Sequence, residues 1–185
     1  MQGTFTLNRK AIAMKAAISA AAAAAAVILP QLFHAIGTIS GTGASVGSAL
    51  LPMHLPVILC GFIAGPAAGL IAGILSPFVS FMISGMPSAV ILPFMVLELG
   101  AYGLVSGLLS KTRLNTFASL IITQLSGRLV RGAAVLVSVY ALGSTALTAA
   151  AAYTFILEGI FGIIIQWAIV PAAVSRMEVL KKHYE

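Results

Sequence analysis

Two arginines and two glutamates lie inside runs of apolar residues, where charge is costly. Arg128 and Arg131 fall within the stretch 116–142, Glu98 within 90–109 and Glu158 within 147–174. A charged group at membrane depth costs about 2.5–3.5 kcal/mol on insertion scales, so such residues turn towards the inside of a helix bundle and find partners there. Counted along their stretches, Glu98, Glu158 and Arg131 sit at similar depths. Arg128 lies one turn away from Arg131 on nearly the same helical face. The four charges sum to zero. One reading is a set of structural ion bridges that fixes the packing. The other is a polar site for a small solute, where an arginine fork matches a carboxylate or phosphate and a glutamate accepts from amine, amide or hydroxyl groups. His54 belongs with this group. It stands in Leu51-Pro52-Met53-His54-Leu55-Pro56, whose two prolines disturb helix hydrogen bonding and can expose backbone to a cavity. It serves equally well as a packing residue.

Catalytic chemistry finds little support. The chain has no aspartate, which removes aspartate-based triads and metal sites. Gly43-Ala44-Ser45-Val46-Gly47 is a loose Gly-x-Ser-x-Gly match without the strand–turn–helix setting that makes such a serine a nucleophile. The His-Glu-x-x-His zinc pattern is absent. The single cysteine, Cys60, stands in an apolar run and reads as a small buried hydrophobe, with no second thiol in the chain for a disulfide or a cysteine metal site. The polar segment Gly37-Thr38-Ile39-Ser40-Gly41-Thr42-Gly43-Ala44-Ser45 reads as a lid or loop. It lacks the Gly-Lys-Ser/Thr ending of a phosphate loop. The expectation is a protein with no catalytic residue, no metal and no cofactor.

The elements that must position these charges follow from composition. Of 185 residues, 60% are hydrophobic and 8% charged, with a mean hydropathy of +1.09. A soluble domain carries about 25% charged residues, so lipid is the main solvent of this chain. Six apolar stretches can be marked, at about 10–33, 49–64, 67–83, 90–109, 116–142 and 147–174. Pro30 and the polar segment after it are expected to end the first, and the Gly65-Pro66 and Gly85-Met86-Pro87 signals divide the next three. No stretch shows the long polar–apolar alternation of a barrel. The first stretch follows Arg9, Lys10 and Lys15, as in a signal peptide, but its length suits a retained membrane span. The fold class is therefore an all-α integral membrane protein, a single domain over 1–185 with six transmembrane helices in one compact bundle.

Basic residues orient the bundle. Arg9, Lys10, Lys15, Lys111, Arg113, Arg176, Lys181 and Lys182 all fall on one side of a six-span chain, which the positive-inside rule makes the cytoplasm. The opposite loops, at about 34–48, 84–89 and 143–146, carry no Lys or Arg. Both termini are thus cytoplasmic. The net charge of +6 reports topology and gives no reason to expect a nucleic-acid partner. His34 reads as interfacial, and Trp167 as an aromatic anchor at the cytoplasmic interface.

Small residues recur every fourth position. Gly61, Gly65, Gly69 and Gly73 do so across the second and third stretches, and Gly103 and Gly107 in the fourth. Such stripes let helix backbones approach closely in lipid. The first stretch is alanine nearly all round, with Ala13, Ala17 and Ala21 in one register and Ala16, Ala20 and Ala24 in another. That makes it thin and smooth, a face suited either to internal packing or to docking on another membrane protein.

Several local sequences together resemble the substrate-binding S components of energy-coupling factor (ECF) transporters. They are Leu51-Pro52-Met53-His54-Leu55-Pro56-Val57, the Gly65-Pro66 turn, Gly85-Met86-Pro87 and Glu98-x-x-x-Tyr102-Gly103-Leu104-Val105-x-Gly107, and they follow one another over most of the chain. The resemblance implies a six-helix subunit of a prokaryotic cell membrane with both termini inside. Such a subunit captures a vitamin or cofactor precursor at the outer face. It lacks ATPase activity and docks on a transmembrane coupling protein driven by two ABC ATPases. The helix-one Ala-x-x-x-Ala contact of that family maps onto Ala16 and Ala20, or onto Ala13 and Ala17. Its pocket, built from the loop after helix one and from helices four to six, maps onto the region of Glu98, Arg128, Arg131 and Glu158. The rival expectation is a self-sufficient secondary transporter with Glu98 or Glu158 as proton carrier. That design usually rests on two repeats, and the two halves of this chain show no convincing repeat.

Overall fold

The computed structural model describes residues 9–42, 45–157 and 159–184. Among them the chain is helical, with no strand. The helices are α1 (Arg9–Ile39), α2 (Ser45–Leu50), α3 (His54–Ala64), α4 (Pro66–Ser84), α5 (Leu92–Leu109), α6 (Thr116–Tyr140), α7 (Ala150–Leu157) and α8 (Ile160–Tyr184). Five stretches are long and apolar enough to cross a membrane: Ser19–Ile39 of α1, α4, α5, α6 and Ile160–Met177 of α8.

The outer surface is apolar, and the interior combines hydrophobic clusters around Val57, Ile58, Leu99 and Leu120 with a polar buried face on α6. On α6 the buried positions include Ser119, Thr123, Gln124, Arg128 and Arg131. The outward positions are Ile122, Leu125, Leu129, Leu136 and Val137. A water-soluble helix has the reverse pattern; this one expects hydrocarbon on its outer face. The same outward apolar surface continues on α4 through Ile71, Leu75, Phe78 and Met82, and on α8 through Ile160, Phe161 and Ile164.

Helix α5 is the centre of the bundle and packs against α3, α4 and α6. The glycine stripes make this possible. A Cβ built on Gly69 would overlap the carbonyl of Gly103, and one on Gly103 would overlap that of Gly69. Gly73 meets the backbone at Leu99 and Gly100 in the same way, and Gly61 meets Gly103 and Ser106. Backbone therefore lies against backbone along the whole α4–α5 seam, the packing that small residues permit in lipid.

Three expected helices differ from those found. The first does not end near Phe33; α1 passes through Pro30 and runs to Ile39. Proline removes only one ladder bond, and neighbouring helices let a membrane helix absorb that loss. Gly37, Thr38 and Ile39, expected in a lid, are thus its last turn. The second stretch is two helices, α2 and α3, separated at Leu51-Pro52-Met53. Pro52 disfavours the helical region for the residue before it, and Leu51 adopts a left-handed φ of 49°, a conformation that costs a branched L-residue about 1–3 kcal/mol. With 11 residues, α3 is about 16 Å long, half the hydrocarbon core of a bilayer. The expected sixth span is also two helices, α7 and α8, broken at Gly159 with a φ of 76°.

The two breaks meet. A Cβ on Gly159 would fall against the Leu51 side chain, and one on Gly162 would lie 2.5 Å from the carbonyl oxygen of Leu50. Irregular backbone survives at membrane depth only where it is buried in protein or lines a cavity; Leu51, Pro52 and Met53 line a cavity, and Gly159 is buried against Leu51.

Candidate functional site

The site is built around one carboxylate. Glu98 projects from α5 and is fully buried (0% exposed), with His54 at 1%, Arg131 at 4% and Arg128 at 7%. Arg131 donates from Nη1 to Glu98 Oε2 at 2.7 Å. Arg128 Nη1 stands 3.6 Å from Oε1, and His54 Nε2 stands 3.7 Å from Oε2. Tyr102, one turn along α5, donates its hydroxyl to Oε1 at 3.1 Å. Four side chains from three helices thus converge on a single acid. Charge pairs this far from water exist only when partnered in this way.

Local packing sets the geometry. Asn115 caps α6, its side-chain oxygen accepting from the Ala118 N–H at 2.7 Å. From that start the buried stripe of α6 carries Gly127, Arg128 and Arg131 towards α5. The Tyr102 ring lies on Gly127, where any Cβ would overlap it. This lets α6 come close enough for both arginines to reach Glu98. His54 meets the same tyrosine edge-to-face, with ring centroids 5.3 Å apart. Tyr102 and Gly127 were not singled out as site residues from sequence. The i, i+4 spacing of Glu98 and Tyr102 was an available signal; a glycine beside an arginine offers none.

Above this cluster lies a cavity of about 340 Å³, within the usual range for small-molecule sites. Arg128, Arg131 and His54 form its polar floor, and Leu51, Pro52 and Met53 of the first helix break form one wall. Met86, Pro87, Ser88 and Ile91 of the α4–α5 connection contribute another, with Met95 from α5. From α1, Pro30 and His34 complete the lining, a place in the cavity wall not foreseen for His34. Gln31 ties α1 to α4 through Ser80 Oγ at 3.0 Å, and Ser80 also lines the cavity. Glu98 does not line it. The acid stands behind the arginines and holds them.

Of the candidates named from sequence, Glu98, Arg128, Arg131 and His54 are therefore brought together. Glu158 lies outside the described residues. The helix-one alanines are elsewhere: Ala13, Ala16, Ala17 and Ala20 are all exposed on α1. Cys60 is buried. No cluster of three or more metal-ligating side chains occurs among the described residues. Trp167 takes part in a second polar contact, away from the cavity. Its indole donates to Gln124 Oε1 at 2.8 Å, Gln124 donates to Gln166 at 3.0 Å, and Phe117 packs on the indole edge. Trp167 thus links α6 and α8 in addition to any role as an interfacial anchor.

The bundle is apolar outside and holds a cavity of small-molecule size whose lining includes the buried Arg128, Arg131 and His54. The chain matches the family model of the ECF transporter, substrate-specific component, over residues 12–174, and it belongs to that family. It is accordingly a multi-pass membrane subunit of the transport class, one that binds substrate and is not itself a catalyst. Neither the curated proteins nor the solved structures include a match to it.

Proposed function

We propose that this protein captures a vitamin-like solute in the cavity above Arg128 and Arg131 and passes it inward by docking on an ECF coupling protein powered by two ABC ATPases. The observation that carries this reading is the coincidence of family membership over 12–174 with a cavity floored by Arg128, Arg131 and His54. In this reading α2 and α3 together make the second crossing, giving six crossings with both termini in the cytoplasm. The 85–91 connection then places the cavity at the outer face. Glu158 is proposed to join the same polar cluster.

The exposed alanines of α1 are the proposed docking face. Ala13, Ala16, Ala17 and Ala20 are exposed in succession along its first half, whereas the outward residues of its second half are the bulkier Ile28, Leu32 and Ile36. A smooth first half permits close approach of a partner helix. Leucine at Ala16 and Ala20 together, or at Ala13 and Ala17 together, is expected to reduce uptake in cells to background while the purified variant still binds solute. Undiminished uptake by both variants would remove α1 as the docking face. The alternative, a proton-coupled carrier, would use Glu98 or Glu158; Glu98 is enclosed and does not line the cavity, which speaks against the first of these two carriers only.

A further inference from the structure

Resting on the reading of the cavity as a solute site, we infer that Gly159 and Gly162 are positioning residues for that site: they seat the break between α2 and α3 and so fix the cavity wall made by Leu51, Pro52 and Met53. None of the described residues lining the cavity comes from α7 or α8, so these glycines act through the wall and not on the solute. That wall needs support from outside itself. Leu51 holds a left-handed φ of 49°, and a branched residue keeps such a conformation only where its surroundings enforce it. Local bonds give the break its shape. The Leu51 N–H donates to the Gly47 carbonyl at 3.1 Å, and the Leu51 carbonyl accepts from the His54 N–H at 3.1 Å. Both bonds lie within 47–54 and travel with that segment, so they do not set where it stands against the bundle.

The contact with α8 does. A Cβ on Gly162 would stand 2.5 Å from the Leu50 carbonyl oxygen and 3.0 Å from Leu51 Cβ, and one on Gly159 would overlap the Leu51 side chain. At Leu50 backbone lies on backbone, an approach that small residues permit. Behind this contact α8 is anchored. Its next buried positions are Gln166, Val170 and Val174, each about one turn further on. Val170 and Val174 belong to the hydrophobic cluster that holds Val57 and Ile58 of α3, and Gln166 accepts from Gln124 of α6 at 3.0 Å. A close-packed interior transmits displacement, because it has few voids to absorb it. A methyl group added at Gly162 meets a carbonyl that cannot rotate aside, so the segment at the break moves and takes the wall with it. The solute then loses its fit although every residue lining the cavity is unchanged.

The test uses the full chain purified in detergent, with a small-molecule extract of the cells that produce it as the probe. Binding is read as a rise in melting temperature, and the solute that stays bound after washing is identified by mass spectrometry and titrated. Gly162→Ala is expected to weaken binding of that solute by about tenfold or more, the affinity equivalent of an overpacked contact. Ile164→Ala, on the outer face of the same helix, is expected to keep full affinity. Leu51→Gly tests the route. Glycine takes a positive φ freely and lets the break yield, so Gly162→Ala is expected to cost less affinity in that background, a coupling that independent sites do not show. Hydrogen exchange of the parent protein supplies a reading that needs no variant: solute is expected to slow exchange at 159–163 as well as at 51–54. A folded Gly162→Ala variant with full affinity, or an equal loss in the Leu51→Gly background, would overturn the inference and leave solute capture standing. Should Gly162→Ala fail to fold, exchange decides: slowing at 51–54 with none at 159–163 overturns the inference. If the extract does not stabilise the parent protein, solute capture itself fails together with this inference.

Discussion

Glu98→Ala is expected to destabilise the fold by about 3–5 kcal/mol, the usual consequence of removing one member of a buried ionic cluster. The carboxylate holds Arg131 at 2.7 Å, with Arg128 and His54 within 3.7 Å, and accepts the Tyr102 hydroxyl. Its loss leaves two guanidinium groups and a phenol at the bundle centre without that acceptor. Glu98→Gln keeps the volume and one acceptor oxygen, so a smaller loss is expected. Equilibrium unfolding in mixed micelles gives the comparison. A double-mutant cycle with Arg131→Ala should return a coupling above about 1 kcal/mol, since the two side chains share one bond. A Glu98→Ala variant within about 1 kcal/mol of the parent would show that the cluster does not hold the helices together.

A second large effect is expected at the α4–α5 seam. Replacing a mid-helix glycine by alanine ordinarily gains up to about 1 kcal/mol in helix propensity. At Gly103 the new methyl would overlap the Gly69 backbone. A backbone cannot rotate aside as a side chain can, so the helices must separate and the steric term outweighs the propensity gain. Gly103→Ala is expected to lose about 1–3 kcal/mol, the range for overpacking, and Gly103→Val more. Gly132 on α6 is the internal control, because nothing lies within 4 Å of a Cβ built there. Gly132→Ala should leave stability unchanged or raise it. Equal responses at the two positions, read as melting temperatures in detergent, would contradict the close-packed seam.

The parts of this fold that were legible in the sequence are those where a boundary has a local chemical cause. Gly65-Pro66 and Gly85 delimit α4, and Asn115 marks the start of α6; these ends fell close to where hydropathy put them. The break at Gly159 was not legible; at Leu51–Met53 the prolines signalled disturbed helix hydrogen bonding, but not the division of the run into two helices. An apolar run averages over two or three irregular residues, and what tolerates those breaks is their contact with each other, which is remote in sequence. Pro30 misled in the opposite sense. Its cost is offset by neighbours that a one-dimensional reading does not contain.

The site was legible as far as electrostatics reaches. Glu98, Arg128 and Arg131 stand out because charges in apolar runs are rare, and depth counted along the helices put Glu98 and Arg131 at the same level. Their convergence on one carboxylate depends on helix rotation and on the Tyr102–Gly127 contact that brings α6 to α5. His34 is a further case. Nothing in its neighbourhood marks it as a cavity residue, and it becomes one only because α1 continues past Pro30.

The central claim is that this chain captures a solute but cannot move it across the membrane alone. Reconstitution in liposomes tests it most directly, with uptake of the solute identified by mass spectrometry followed with and without the coupling protein, its two ATPases and internal ATP. Uptake is expected only when the whole module and ATP are present, with the lone subunit showing binding and no accumulation. Equal uptake by the lone subunit, or uptake driven by a proton gradient without ATP, would contradict the account.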